Sequence, residues 1–402
     1  MEGIPSSLRK EYLFCQEEEL YLYHKNKRLV IGIPNETDRA EYRVCLTPES
    51  VRILVAMGHQ IVIQRGAAIK ANYTDMEYSE AGAYLVNTKE EVYTADVILK
   101  VTTVSLNDTQ YMREHQIILS SLKLFDLKKE AIVEMMQKKV TALGFDILKD
   151  SDGFYPVIRI MSEIAGNAAI MVAGEYLNQS NGGKGIILGG VSGITPTEVI
   201  ILGAGTLGEY AARAAMSLGA TVKMFDFSLN RLMTLREKLG QTLYTSVFHE
   251  PVLSKALKTA DVVIGAMRCF DTGNNVVLYE EKVRQMKRGA VIVDLAADHG
   301  GCIETVRPTT HENPVYTLHD VLHYCVPNVL SRVPRTASIG FSNVLLPLLK
   351  DISEKGGLGN ALKTDAGLRS GMYIYNGILT KNVIADKFGL SSRDINLLIA
   401  SF

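Results

Sequence analysis

The most restrictive feature of this 402-residue chain lies near its centre. The apolar run 198–202 passes straight into Gly203-Ala204-Gly205-Thr206-Leu207-Gly208, and a stretch of helical period follows before Gly219 ends it. Three glycines at this spacing allow a tight turn, a close approach of backbone to a pyrophosphate, and close packing of the helix on the strand. The amides of Thr206 and Leu207 then stand at a helix N-terminus, where free N–H groups and the positive dipole end attract phosphate. A second apolar run, 221–225, ends in Asp226, about 20 residues beyond the glycines, where a ribose-binding acid belongs. A carboxylate there accepts from both ribose hydroxyls and repels a 2′-phosphate, so the pattern favours NAD over NADP, with Arg231 as the nearby residue that pulls the other way.

The fingerprint demands βαβ surroundings, and the chain supplies them. Short β-branched runs at 29–33, 61–63, 97–101, 117–122 and 140–145 alternate with segments of helical period, one opened by Thr47-Pro48 and closed by Gly58, another near 128–136. Further strands read at 262–266 and 290–296. From about Pro334 the pattern is helical to the end, including 345–352 and 394–399. A long helical stretch near 158–177 carries Ala165, Gly166, Ala168, Ala169, Ala173 and Gly174, small residues that let another backbone come close. The expected fold class is α/β, with two α/β domains behind an N-terminal extension, 1–28.

Charge excludes several functions. Lys plus Arg number 43 against 44 Asp plus Glu, a net charge of −1, with no long basic run of the kind that nucleic acid or an anionic membrane requires. A small-molecule substrate is the expectation, with neither a nucleic-acid nor a membrane partner. The five cysteines, Cys15, Cys45, Cys269, Cys302 and Cys325, form no metal or redox spacing, so no metal is expected and reduced thiols in the cytoplasm account for them. The charged first 28 residues do not read as a signal peptide, and no apolar stretch reads as a membrane span.

Four further segments resemble one family. They are Gly32-Ile33-Pro34-Asn35-Glu36, Arg43-Val44-Cys45-Leu46-Thr47-Pro48, Met161-Ser162-Glu163-Ile164-Ala165-Gly166, and Val293-Asp294-Leu295-Ala296-Ala297-Asp298-His299-Gly300-Gly301-Cys302. Together with the fingerprint they resemble the alanine dehydrogenase and transhydrogenase alpha-subunit family over roughly residues 29 to 385. The Met161 to Gly166 and Tyr324-Cys325-Val326-Pro327-Asn328 segments look like the alanine dehydrogenase version. That resemblance implies a central Rossmann NAD-binding domain, 158–333, inserted in a discontinuous substrate domain built from 29–157 and 334–402. It also implies NAD-linked oxidative deamination of an amino acid in the cleft between them, in a homo-oligomer, hexamer or dimer. It places Arg43 on the substrate carboxylate, Asp298 as the catalytic aspartate, and Ser162, Asn328, Gly265 and Ala266 beside the cofactor.

Two positions depart from the family pattern. The family's substrate lysine falls at Thr102 in Lys100-Val101-Thr102-Thr103-Val104, and its catalytic histidine falls at Lys123 in Leu122-Lys123-Leu124. Lys123 can supply the charge that Thr102 lacks and, if buried beside Arg43, would have a lowered pKa suited to proton transfer. Lys100 reads as structural. His299, His319 and His323 are the alternative sources of an acid or base. The two departures also admit another amino acid or an opine-like amine as substrate, or an NAD(H)-binding module without turnover.

Overall fold

The computed structural model describes residues 26–38, 40–124, 126–240, 243–267, 276–297 and 301–400. Six strands, β1 (Val30–Ile33), β2 (Gln60–Gln64), β3 (Tyr84–Val86), β4 (Val97–Leu99), β5 (Ile117–Ser120) and β6 (Thr141–Gly144), form a parallel array in the order β3-β2-β1-β4-β5-β6. Most of their Val, Ile and Leu side chains, the edge strand β3 apart, are buried on both faces, as a helix-covered parallel sheet requires. A second sheet repeats the pattern with β7 (Glu198–Leu202), β8 (Thr221–Asp226), β9 (Tyr244–Val247), β10 (Val262–Gly265), β11 (Val291–Asp294), β12 (Val315–Leu318) and β13 (Val321–Tyr324), ordered β12-β13-β11-β10-β7-β8-β9. Only β12 runs antiparallel to its neighbour there. In both sheets the strand order reverses once, between β1 and β4 and between β7 and β10, and crevices beyond the strand ends at such points receive ligands.

The C-terminal part departs from the all-helical expectation. After the helix Pro334–Glu354 the chain returns as β14 (Met372–Tyr375) and β15 (Ile378–Leu379), which extend the first sheet antiparallel beyond β6. The chain therefore leaves the first sheet, builds the second, and comes back to finish the first: a nucleotide-binding unit inserted in a discontinuous α/β unit. The β12–β13 connection is a tight turn with His319 and Asp320 at φ 54° and 59°. Neither residue carries the Asn-Gly or Asp-Gly signal of such turns, and so the hairpin is silent in the sequence.

The long helix Pro156–Leu177 begins on its proline, as the missing N–H of that residue allows. Its small residues bring neighbours close. A Cβ on Gly166 would lie 2.4 Å from Leu207 O, so the helix Thr206–Ser217 sits directly against it. Nearer its start it meets Gly340 of Pro334–Glu354, where a Cβ would lie 3.1 Å from Ile160. Contrary to the sequence reading, this helix is long and apolar enough to cross a membrane by length and composition; half of the window is buried in the fold.

The helix Pro48–Ala56 has Thr47 at its N-cap without the side-chain cap that the sequence suggests. The Thr47 hydroxyl lies 3.4 Å from Ser342 Oγ, and Thr47 N–H donates to the same oxygen at 3.0 Å. Arg43's loop is tacked down in the same way, Tyr42 N–H onto Ser331 Oγ (3.1 Å) and Val44 N–H onto Ser338 Oγ (3.0 Å). Side chains that follow the second sheet thus pin the loop that follows β1.

Candidate active site

At the reversal point of the second sheet each fingerprint glycine has a separate job. Gly203 adopts φ +115°, and a Cβ there would sit 2.9 Å from Ala266 O at the end of β10. A Cβ on Gly208 would stand 1.9 Å from Gly203 O, so only glycine lets the helix start this close to the strand. Gly205 differs: its φ of −79° suits any residue, and among the described residues nothing lies within 4 Å of the added Cβ. The space it leaves is the cradle a pyrophosphate needs, beside the amides that open the helix Thr206–Ser217.

Asp226, 2% exposed, ends β8. Its Oδ2 accepts from Ala204 N–H (2.7 Å) and its Oδ1 from Ser228 N–H (2.7 Å), so it fastens the glycine loop. Each oxygen keeps a lone pair for a ribose hydroxyl. Arg231 is exposed and reaches Asp226 at 3.9 Å. Gly265 closes β10, and a Cβ there would lie 2.5 Å from the Asp294 carboxylate. These groups fit a dinucleotide.

The loops that follow β1, β4 and β5 carry the charged groups of the first sheet. Arg43 is buried, its guanidinium 5.3 Å from the Phe341 ring centroid. Its Nε and Nη2 each donate to the Glu41 carboxylate at 2.6 Å, and Nη1 approaches Met161 Sδ at 3.7 Å. Burial alone would raise the Glu41 pKa, but the charge and hydrogen bonds of Arg43, aided by the charge of Lys123, hold it below the usual carboxylate value. Asn328, beyond β13, donates from Nδ2 to Ala40 O (3.0 Å), Ser331 Oγ (2.8 Å) and Glu41 Oε2 (3.3 Å). Ser162, half-buried, adjoins Met161 on the long helix. Arg43, Asn328 and the Met161-Ser162 pair are thus brought together from three separated stretches.

Thr102 does not take over the missing lysine's place. Its hydroxyl donates to Glu36, whose carboxylate also accepts from Val101 N–H (2.6 Å) and Lys100 Nζ (3.0 Å). Lys100, 1% exposed, is held between Glu36 and Asp108 (3.3 Å), the structural part expected of it. Desolvation would lower its pKa, yet the two carboxylates raise it. Glu36 ties the ends of β1 and β4 across the reversal point of the first sheet.

Lys123 is exposed, so the burial that would tune it as a proton donor is not met. Its backbone has φ +27°, with Leu122 and Lys123 N–H both donating to Asp146, at 2.8 and 3.1 Å. Among the described residues Lys123 has no ion-pair partner within 4.0 Å, whereas Glu41 pairs with Arg43 and Glu36 with Lys100. Asp298 and His299 lie outside the described residues. The other two histidines are structural. His319 pairs with Glu280 (2.7 Å) in the β12–β13 turn, at the opposite strand ends from the glycine loop. His323 is fully buried, bonded to Thr305 Oγ1 (2.8 Å) and stacked on Tyr316 at 4.9 Å, and burial pushes its pKa down to about 4.

Glu41 and Ser331 escaped the sequence reading. The signal for Glu41 was its place two residues before Arg43; the one for Ser331, far along the chain, was nil.

Two doubly wound sheets, a glycine cradle that fits a dinucleotide at one reversal point and a buried arginine in the loop beyond β1 suit a nicotinamide-dependent dehydrogenase class of protein. The chain belongs to the alanine dehydrogenase/PNT family: the model of that family's N-terminal domain matches residues 32–165 and the model of its C-terminal domain residues 169–382. An alanine dehydrogenase of Mycolicibacterium smegmatis is 34% identical over 373 residues, covering 92% of this chain and 100% of that protein. One from Methanococcus maripaludis is 36% identical over 359 residues, 89% of this chain and 96% of its own. A solved L-alanine dehydrogenase matches with a TM-score of 0.83 at 32% identity, covering 90% of this chain and 99% of that one. A transhydrogenase from Sinorhizobium meliloti, at 22% identity, TM-score 0.75 and coverage of 88% and 99%, shares the fold.

Proposed function

We propose that this protein is an NAD-dependent alanine dehydrogenase: L-alanine, NAD⁺ and water give pyruvate, ammonium, NADH and a proton. The observation that carries the reading is that the Arg43 guanidinium, buried and held along one edge by Glu41, keeps an N–H on Nη1 and one on Nη2 for a further acceptor. A substrate carboxylate finds there one fixed guanidinium, to which the exposed ammonium of Lys123 adds its charge. The bound dinucleotide supplies the hydride acceptor. Gly205 and the amides after it hold its pyrophosphate, Asp226 accepts from its ribose and disfavours a 2′-phosphate, and Asn328, Ser162, Gly265 and Ala266 line its nicotinamide side. Arg43 and Lys123 bind and orient the substrate carboxylate. Asp298 directs water to the imine carbon and moves protons between water and the leaving ammonia.

A second reading keeps the chemistry and changes the substrate. Thr102 spends its hydroxyl on Glu36, and Thr103 Oγ1 is buried without a hydrogen-bond partner among the described residues, so the wall that a lysine would build is shorter here. Purified protein with NADH, ammonium and a panel of 2-oxo acids separates the two. Turnover greatest with pyruvate supports alanine; turnover with only a larger acid selects the second reading; none with any acid, despite NADH binding, leaves a binding module. Repeating the assay with NADPH tests Asp226: a kcat/KM within threefold of that with NADH would sink the NAD preference.

The same reading includes a cytoplasmic homo-oligomer, hexamer or dimer. Exposed Met171, Ile187, Val191, Ile194 and Leu218 supply apolar surface for contact between copies. Light scattering that finds only monomer at micromolar concentration would remove that part.

A further inference from the structure

An arginine offers five N–H donors arranged along two usable edges. In Arg43 the edge formed by Nε and Nη2 is occupied by both oxygens of Glu41, each at 2.6 Å, and Nη1 has Met161 Sδ at 3.7 Å. That arrangement leaves one N–H on Nη1 and one on Nη2 for a further acceptor. Glu41 itself is 4% exposed and cannot swing freely. It also accepts from Arg43 N–H (3.0 Å) and from Asn328 Nδ2 (3.3 Å), and Ser331 Oγ stands at 3.5 Å. The Arg43 side chain is therefore aimed by a carboxylate that is itself held from both sheets.

We propose that Glu41 is the positioning residue of the substrate site: it locks the side edge of Arg43 so that the remaining N–H groups of Nη1 and Nη2 meet the substrate carboxylate, and ties that arginine to Asn328 on the nucleotide-binding side. The proposal rests on the reading that Arg43 binds the substrate carboxylate. Glu41 touches neither reacting atom; it acts through Arg43. A neutral amide at position 41 keeps the volume but accepts through one oxygen only, so the guanidinium gains rotational freedom and loses its second strong bond.

The test is steady-state kinetics of Glu41→Gln, Arg43→Ala and the double variant with NADH, ammonium and pyruvate, or with the best acid of the panel. Glu41→Gln is expected to raise the KM for the oxo acid roughly tenfold, with kcat within about threefold and NADH affinity unchanged, as for lost ground-state orientation. In the Arg43→Ala background the same change is expected to have no further effect on KM. Glu41→Asp, which keeps the charge but shortens the reach, should fall between, and it serves as the second variant if Glu41→Gln does not fold. An unchanged KM in either variant overturns the proposal. So does a fall in KM, which would make Glu41 a competitor of the substrate, and so does an equal loss on both backgrounds, which would make its role merely structural. If Arg43→Ala itself leaves KM unchanged, the reading of Arg43 fails instead.

Discussion

At residue scale the decisive group is Lys123, whose ammonium stands where the resemblance puts a histidine. The side chain is exposed, so it lacks the burial that a tuned proton donor needs, and the proposed function uses it as a cation for the substrate carboxylate. Lys123→Ala is expected to raise the KM for the oxo acid by roughly 10- to 100-fold, the range of one charge-assisted contact. An unchanged kcat/KM would take Lys123 out of the site. A second residue-scale prediction concerns acid stability. Burial would raise the Asp108 pKa, but Lys100, Lys89 and the Ser105 N–H outweigh it and hold the carboxyl at about 2, below its ordinary 3.8. A carboxyl depressed in the folded state contributes stability above its unfolded pKa and loses it as pH falls through the folded one. Between about pH 4 and pH 2 the fold should therefore lose about 2 kcal/mol from this group. Asp108→Asn, followed by urea unfolding across that window, should lower stability at neutral pH and flatten the slope; an unaltered slope would refute the assignment.

At element scale the three fingerprint glycines separate by mechanism, and substitution reads them apart. Gly205→Ala places its methyl in open space, so melting temperature should hold while NADH affinity falls about tenfold or more through obstruction of the pyrophosphate. Gly208→Ala drives a methyl to 1.9 Å from Gly203 O, so it should destabilise the fold by about 2 kcal/mol or more along with binding. Isothermal titration and thermal melts of both variants distinguish the cases; equal loss of stability would mean that Gly205 is structural as well. The central strand, glycine loop and helix were legible because their spacing repeats local geometry. Strand β9, half-exposed at a sheet edge, and the β12–β13 hairpin with its His-Asp turn were not, since neither shows alternation or turn residues strong enough to read.

At the scale of the whole molecule, the first sheet is complete only when β14 and β15 return to it. A chain ending before Met372 exposes the edge of β6 and the core that Met372, Tyr373 and Ile374, each 0% exposed, cover in the intact fold. It is expected to aggregate on expression, although the second sheet is intact; recovery of soluble protein with a normal circular dichroism spectrum would contradict this.

The sequence by itself determined the two α/β units, the dinucleotide cradle and the identity of the charged candidates, because strand burial, helix period and glycine spacing are local properties written in consecutive residues. Only the tertiary structure decided which charges remain available. Glu41 lies beside Arg43 in the chain, yet its hold on that guanidinium, the capture of Thr102 by Glu36, and the stitching of the Arg43 loop by Ser331, Ser338 and Ser342 all depend on side chains from separated elements meeting at the ends of two sheets. Electrostatic pairing acts through space over a few ångströms, so a charge's partner, and with it the charge's use, is set by the fold.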